Sequence, residues 1–283
     1  MPIARLNLRP ARTKKKRLEF AAFPRRLKQA RSRVNSLVLA LRAVPRGRYA
    51  AIVAGLLALV ILRSFIGAHA LGTWALENAP VALLLLALGL SYRPMPLSRV
   101  SYSLIFIFLC LHETGAHWTY AKVPYDNWWR ALTGVTLNSQ LGFERNNFDR
   151  LVHFSYGLLL AYPIREIFLR VANVRGFWGY FLPLDFTMST SMIYEVLEWL
   201  TATVVGSDAG NDYLGSQGDP WDSQKDMALA SLGALLAMTI IALITWRYKR
   251  DFAREFGESL QVKRSEPLGE DEIARIQMSP GGR

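Results

Sequence analysis

The feature that most constrains this chain is the separation of its apolar runs from its charges. Hydrophobic residues make up 51% of the 283 residues and charged residues 20%, yet most of the charges lie between the apolar runs. A helix that crosses the hydrocarbon core of a bilayer, about 30 Å thick, needs about 20 mainly apolar residues. We therefore predict an all-α protein, a polytopic membrane helix bundle with about six transmembrane helices. The six segments are residues 50–68, 74–92, 98–114, 150–170, 177–201 and 220–246.

The distribution of basic residues predicts which helix ends face the cytoplasm. Short cytoplasmic loops carry an excess of Lys and Arg. Of the 34 Lys and Arg residues, 15 fall within residues 1–48, ahead of the first apolar segment. The predicted outer loops 70–73 and 202–219 contain none, and the second of them carries aspartates instead. Six spans with this alternation place both termini in the cytoplasm.

The same charges divide the chain into three parts. We expect a basic cytoplasmic tail at 1–48, a six-helix transmembrane domain at 49–247 and a polar cytoplasmic extension at 248–283, with a short helix before a polar tail. The formal net charge of +12 is concentrated in the basic tail. We interpret the Lys and Arg residues of this tail as a topology signal and expect them also to contact anionic lipid headgroups. The expected partners are membrane lipids and not nucleic acid.

Two short features of the sequence argue against a cleaved signal peptide and against cysteine-based cross-links or metal sites. The small-x-small sequence Ala68-His69-Ala70 resembles a signal-peptidase site, but Arg63 and the long basic region before it argue against cleavage, so we expect an uncleaved first span. The single cysteine, Cys110, lies within an apolar run. One cysteine allows neither an intrachain disulfide nor a zinc site built from thiolates.

Ionisable residues lie near the outer ends of four predicted spans. A carboxylate at mid-bilayer costs about 2.5–3.5 kcal/mol on insertion scales, so such groups usually face the bundle interior and serve a function. The third span ends with His112 and His117, which a continuous helix would point about 140° apart. A break at Gly115 would bring them together. The alternative is that both histidines only form interfacial hydrogen bonds.

The fourth span begins with an acid and a histidine on one helical face. Asp149 and His153 are four residues apart, a spacing at which the carboxylate orients the imidazole or both bind one metal ion. Tyr156 continues this face inward. The alternative is a helix N-cap at Asn147 or Asp149, with His153 as a packing residue.

The fifth and sixth spans contribute carboxylates. Glu195 and Glu198 are three residues apart in an apolar segment, where they require a cation, a shared proton or a basic partner. Asp219, followed by proline, predicts the start of the sixth helix. Capping explains Asp219 and accounts for Asp222. It does not explain Asp226, which lies a full turn further in.

Acids and histidines from four consecutive spans thus converge on one leaflet, which predicts a metal site. Carboxylate and imidazole ligands without thiolates suit a divalent Zn, Mn, Fe or Mg ion, and helix bundles build one- or two-metal sites in this way. No dedicated metal, phosphate-loop or nucleophile-elbow motif is found in the sequence. As catalytic acids we expect Glu195, Glu198 and Asp226, one of them free as a general base. The expected metal ligands are His112, His117, Asp149, His153, Glu195, Glu198, Asp222 and Asp226.

Four sequence blocks within residues 50–246 are His112–Pro124, Asn147–Phe154, Glu195–Trp199 and Leu214–Met227. Together they resemble the YjdF-like family of bacterial inner-membrane proteins, a domain of unknown function. The resemblance implies a multi-pass protein of the bacterial inner membrane and supplies no activity. The basic tail and the C-terminal extension lie outside it.

Three functions remain open. The first is a metal-dependent hydrolase or transferase acting on a lipid-linked or envelope substrate, with an interfacial rim of Trp118, Trp128, Trp129 and Trp221. The second is a proton- or cation-coupled transporter, with a path through Asp185, Thr187 and Ser189, for which six spans would favour a homo-oligomer. The third is a structural membrane protein in which the polar cluster only clamps the helices together.

Overall fold

The computed structural model describes residues 44–205, 216–249 and 251–263, together with the single positions 269, 275, 277 and 278. Two compact units divide the chain, residues 1–52 and 53–283. Residues 1–43 of the basic tail, the acidic positions Asp208 and Asp212, and most of the C-terminal tail lie outside the described residues.

Every regular element in the described part of the chain is a helix. The six long helices correspond one to one to the six predicted spans. On length and composition alone, α1, α2 and α8 are long and apolar enough to cross a membrane, and the count of six spans stays a prediction. The helices are α1 (Arg46–Phe65), α2 (Leu71–Ser91), α3 (Arg99–His117), α4 (Tyr125–Thr133), α5 (Leu137–Leu141), α6 (Phe148–Val171), α7 (Trp178–Val205), α8 (Asp222–Tyr248) and α9 (Phe252–Ser259).

The centre of the bundle is the packing of α6 against α8. Gly157 lies against the backbone of Ala230, and Gly233 against the backbone of Phe154, so closely that a Cβ at either glycine would overlap a carbonyl oxygen. Ala234 fills the same interface and is fully buried. Small residues at a helix interface let the two backbones approach closely. The resulting van der Waals contact stabilises helix association in lipid, where the hydrophobic effect does not favour it.

Around this centre, α6 also packs on α3 and α7, and α2 packs on α3. A buried apolar cluster that includes Val81, Phe108 and Val152 joins α2, α3 and α6. The outward faces of the helices expose large apolar side chains, for example Leu83, Leu86 and Leu90 on α2. An apolar exterior around a small polar interior is the arrangement expected for helices surrounded by lipid.

Three of the helices in the described residues are short. The sequence did not predict α4 and α5, which fill the connection between α3 and α6. The helix expected after residue 250 is α9. The amphipathic α4 exposes Trp128 and Leu132, while the hydroxyl of Tyr125 donates a 2.6 Å hydrogen bond to Asn138 after the turn. This connection lies beside the start of α6, where the backbone N–H of Asn147 donates to the hydroxyl of Tyr125 at 3.0 Å.

Candidate metal centre

Five helices bring polar side chains to the same end of the bundle. At this end α3, α6, α7 and α8 carry the predicted site residues, and α2 contributes one more. One cavity of about 430 Å³ is lined by seven of the eight predicted metal ligands. They are His112, Asp149, His153, Glu195, Glu198, Asp222 and Asp226.

His153, Glu195 and Asp226 form the first of two potential ligand sets among the described residues. Their ligand atoms all lie within 4.8 Å of one another, and Nε2 of His153 is 3.6 Å from Oε1 of Glu195. Ligand atoms about 2.1 Å from one tetrahedral ion lie about 3.4 Å apart. The His153–Glu195 pair is therefore close to coordinating distance, and binding one ion requires Asp226 to approach only modestly.

Two oxygens in this set are buried without a hydrogen-bond partner, Oε1 of Glu195 and Oδ1 of Asp226. Burying a polar atom in this way costs about 1–3 kcal/mol, and more for a charged group. Such atoms are rare in folded proteins and call for an ion, water or proton as partner. Their position beside an imidazole nitrogen makes the set suitable for a divalent cation.

A second set, Asp149, Asp222 and Asp226, shares Asp226 with the first. Here the guanidinium of Arg145 lies 2.5 Å from Asp149 Oδ2 and 2.7 Å from Asp222 Oδ1. Arg145 also donates to the carbonyl of Ser216 at 2.6 Å. The arginine already neutralises two of these three acids, so the second set is the poorer cation site.

The outer edge of the cluster is an ion-pair network around Asp219, which precedes α8. Arg150 and Lys225 donate to Asp219 Oδ2 at 2.5 and 2.6 Å, and the backbone N–H of Trp221 donates to Oδ1 at 3.1 Å. The Lys225 hydrogen bond, followed by that of Trp221, lowers the pKa of Asp219 to about 2. Asp219 thus links the residues before α8 to Arg150 of α6. The helix begins at Asp222 with Trp221 at the N-cap position, so the predicted start at Asp219 lies a few residues too early.

The two histidines of the third span have different surroundings. Since α3 is continuous through His117, Gly115 introduces no break, and the ring of Tyr120 packs against it instead. His112 donates from Nε2 to the Glu77 carbonyl at 3.2 Å and accepts at Nδ1 from Tyr120 at 2.6 Å. His117 donates from Nδ1 to the Ser64 carbonyl at 2.7 Å, away from the cavity. Both histidines therefore belong to the hydrogen-bonded framework.

Glu198 and Glu77 complete the acidic lining. Glu198 lies one turn after Glu195 and belongs to neither ligand set. Glu77 of α2 is almost fully buried and accepts a 3.0 Å hydrogen bond from the hydroxyl of Tyr194. Sequence reasoning did not include Glu77 among the site residues. Its signal was available, because Glu77 is a carboxylate inside an apolar segment.

The residues expected along a transport path do not extend the cavity. Asp185 and Ser189 are exposed on α7. Thr187 is fully buried, and its hydroxyl donates to the carbonyl of Pro183. None of the three lines the cavity beside the acidic cluster.

Comparisons with known proteins agree with a membrane protein. Residues 49–247 match the family model described as "Predicted membrane protein (DUF2238)". Over 197 residues the chain is 38% identical to "Inner membrane protein YjdF" of Escherichia coli (strain K12), which covers 69% of this chain and 90% of that protein. No solved structure matches. The matched range contains every side chain of the cluster described above.

Proposed function

We propose that this chain, which belongs to the DUF2238 family of predicted membrane proteins, is an inner-membrane metalloprotein. The family membership confirms the resemblance drawn from its sequence blocks. Its buried cluster binds a divalent ion and hydrolyses, or transfers a group from, a lipid-linked or envelope substrate. Both termini are cytoplasmic and the cluster faces outward, as the distribution of Lys and Arg favours.

The observation that carries this proposal is the ligand set of His153, Glu195 and Asp226. It combines one imidazole with two carboxylates, each of which has a buried oxygen without a hydrogen-bond partner. Three protein ligands leave a position open for water or substrate, as in catalytic zinc sites. Zn, Mn, Fe and Mg all accept such ligands.

The remaining groups have distinct roles in the proposed chemistry. A bound divalent ion lowers the pKa of a coordinated water and so supplies a nucleophile near neutral pH. Glu198, the acid outside both ligand sets, would accept a proton from the attacking water. In hydrolysis the water oxygen bonds to the electrophilic phosphorus or carbonyl carbon, the ester bond to the leaving oxygen breaks, and the proton passes to that oxygen. Group transfer follows the same course with another nucleophile.

Metal analysis of the detergent-purified protein tests the proposal. We expect a stoichiometric divalent metal in the wild type and strong losses in Glu195→Gln and His153→Ala. Asp185→Asn is the matched control, since Asp185 is an exposed carboxylate on the same helix as Glu195. Absence of stoichiometric metal in the wild type, with Glu195→Gln unchanged in stability and cellular phenotype, would overturn the proposal.

The ion pairs at the outer edge support a second candidate function, a polar clamp that only holds helices together. Arg145 joins Asp149 on α6 to Asp222 on α8. If clamping is the only role of the cluster, Asp226→Asn costs little stability and metal content is negligible throughout. Metal loss in Asp226→Asn with an intact fold favours the metal centre.

A further inference from the structure

The cavity continues from the polar cluster deep into the bundle, and its composition changes along the way. On α6 its lining runs from Asp149 and His153 past Tyr156 to Ile164 and Ile167. At 1.5 Å per residue, the stretch from Tyr156 to Ile167 is about 16 Å long. One hydrocarbon leaflet of a bilayer is about 15 Å thick. The apolar part of the cavity therefore has the depth of one leaflet.

The walls of this deep part are apolar. Beyond the cluster, α2 contributes Val81 and Leu84, and α3 contributes Phe108 and Leu109. The polar groups of Tyr156 and Thr190 are hydrogen-bonded to each other at 2.6 Å. Few polar groups are left there to bind a polar solute. Walls of this composition favour a hydrocarbon ligand.

The cavity also has a side that faces the surrounding lipid. Both α2 and α7 line it, but within the described residues their backbones do not pack extensively on each other. Pro80 of α2 and Phe186 of α7 line the cavity and are both exposed residues. Near the polar end the two helices are joined by the hydrogen bond from Tyr194 to Glu77. Beyond that bond, the limited packing of α2 on α7 leaves room for a lipid chain to enter from the side.

We propose that this cavity binds one acyl chain of a lipid, with the chain between α2 and α7 and the headgroup at His153, Glu195 and Asp226. The whole cavity, polar cluster included, has a volume of about 430 Å³, which is enough for a single acyl chain. The proposal rests on the metal-centre function and gives its substrate class, a lipid whose headgroup ester is delivered to the cluster.

Photolabelling of the full chain in detergent tests this assignment. The probe is a lysophosphatidylglycerol whose palmitoyl chain carries a diazirine near its end, and adducts are mapped by mass spectrometry. We expect adducts on cavity-lining residues such as Leu84, Leu160 and Ile164. Adducts confined to outward residues such as Leu83 and Leu86 would overturn the proposal. So would cavity labelling by a diazirine-bearing farnesyl phosphate but not by the palmitoyl probe.

Cavity-filling variants provide the matched comparison. Val81→Trp fills the apolar part, whereas Leu83→Trp adds the same side chain two residues away on the exposed face. We expect cavity labelling to fall about tenfold in Val81→Trp, since the indole displaces about two methylene groups of the chain. Ser191→Leu, at a buried serine of α7 that also lines the cavity, gives a milder filling if Val81→Trp fails to fold. Equal labelling in the filled variants and Leu83→Trp would contradict the proposal.

Metal content measured on the same samples separates the two proposals. If both hold, Val81→Trp loses labelling and keeps its metal, while Asp226→Asn loses metal and keeps labelling. Metal without cavity labelling overturns the acyl-chain assignment alone. Cavity labelling in a wild type that contains no metal supports chain binding and overturns the metal-centre function.

Discussion

Gly157 of α6 lies against the backbone carbonyl of Ala230 on α8, with no room for a side chain between them. This contact sets the distance between the two helices that carry His153 and Asp226, each one turn from the contact. The geometry of the proposed metal centre therefore depends on small residues that bind nothing themselves.

We predict that Gly157→Val strongly destabilises the protein, because the added side chain would force α6 away from α8. Overpacking of this kind typically costs about 1–3 kcal/mol and occasionally more. The measurement is the thermal transition in detergent together with metal content. Gly89→Ala is the control, since a Cβ there meets no other atom within 4 Å. A Gly157→Val protein as stable as Gly89→Ala would contradict the assigned packing.

Arg145→Met should destabilise the outer end of the bundle. It leaves Asp149 and Asp222 close together without their shared cation, and breaking a largely buried ion pair costs about 3–5 kcal/mol. Lys225→Met, which removes a half-exposed partner of Asp219, should cost at most about 1 kcal/mol. Chemical denaturation of both variants checks the ranking. Equal losses would show that Arg145 does not hold α6 and α8 together.

Asp219 predicts a specific acid dependence of stability. Its pKa is about 2 in the folded chain, below the usual value near 3.8, because Lys225 and the Trp221 N–H stabilise the carboxylate. A lowered pKa stabilises the fold above about pH 4, and this contribution is lost as the pH falls toward 2. The difference in thermal stability between wild type and Asp219→Asn should therefore be constant from pH 6 to 4 and shrink below pH 4. If the difference in thermal stability persists unchanged at pH 2, the ionised carboxylate of Asp219 is not its cause.

Tyr120→Phe should destabilise the framework around His112. The Tyr120 hydroxyl donates to Nδ1 of His112, whose Nε2 donates to the Glu77 carbonyl. Removing the hydroxyl leaves a buried acceptor without its partner, at a cost of about 1–3 kcal/mol. Tyr248→Phe, at an exposed tyrosine, serves as the control. Thermal unfolding of the two variants gives the comparison, and equal stability would contradict a structural role for His112.

The sequence predicted the helices better than the contacts between them. Helical spacing placed Asp149 with His153, and Asp222 with Asp226, on common faces, and all four line the cavity. Asp149 and His153 nevertheless belong to different ligand sets. Helical spacing could not show that Arg145, four residues before Asp149, also contacts Asp222, because Asp222 lies far along the chain on another helix. The expected break at Gly115 is not found, because this glycine makes room for the ring of Tyr120. The sequence marked Glu77 as a carboxylate in an apolar segment, but it could not show its partner Tyr194, which is 117 positions away.

The central claim is that His153, Glu195 and Asp226 coordinate one divalent ion. The most direct measurement is an experimental structure of the protein prepared with Zn²⁺, with anomalous scattering to locate the ion. We expect a single strong peak about 2.1 Å from Nε2 of His153 and from one oxygen of each acid, with the ligand atoms drawn to about 3.4 Å apart. Absence of a peak there, with Glu195 and Asp226 hydrogen-bonded to protein groups instead, would contradict it.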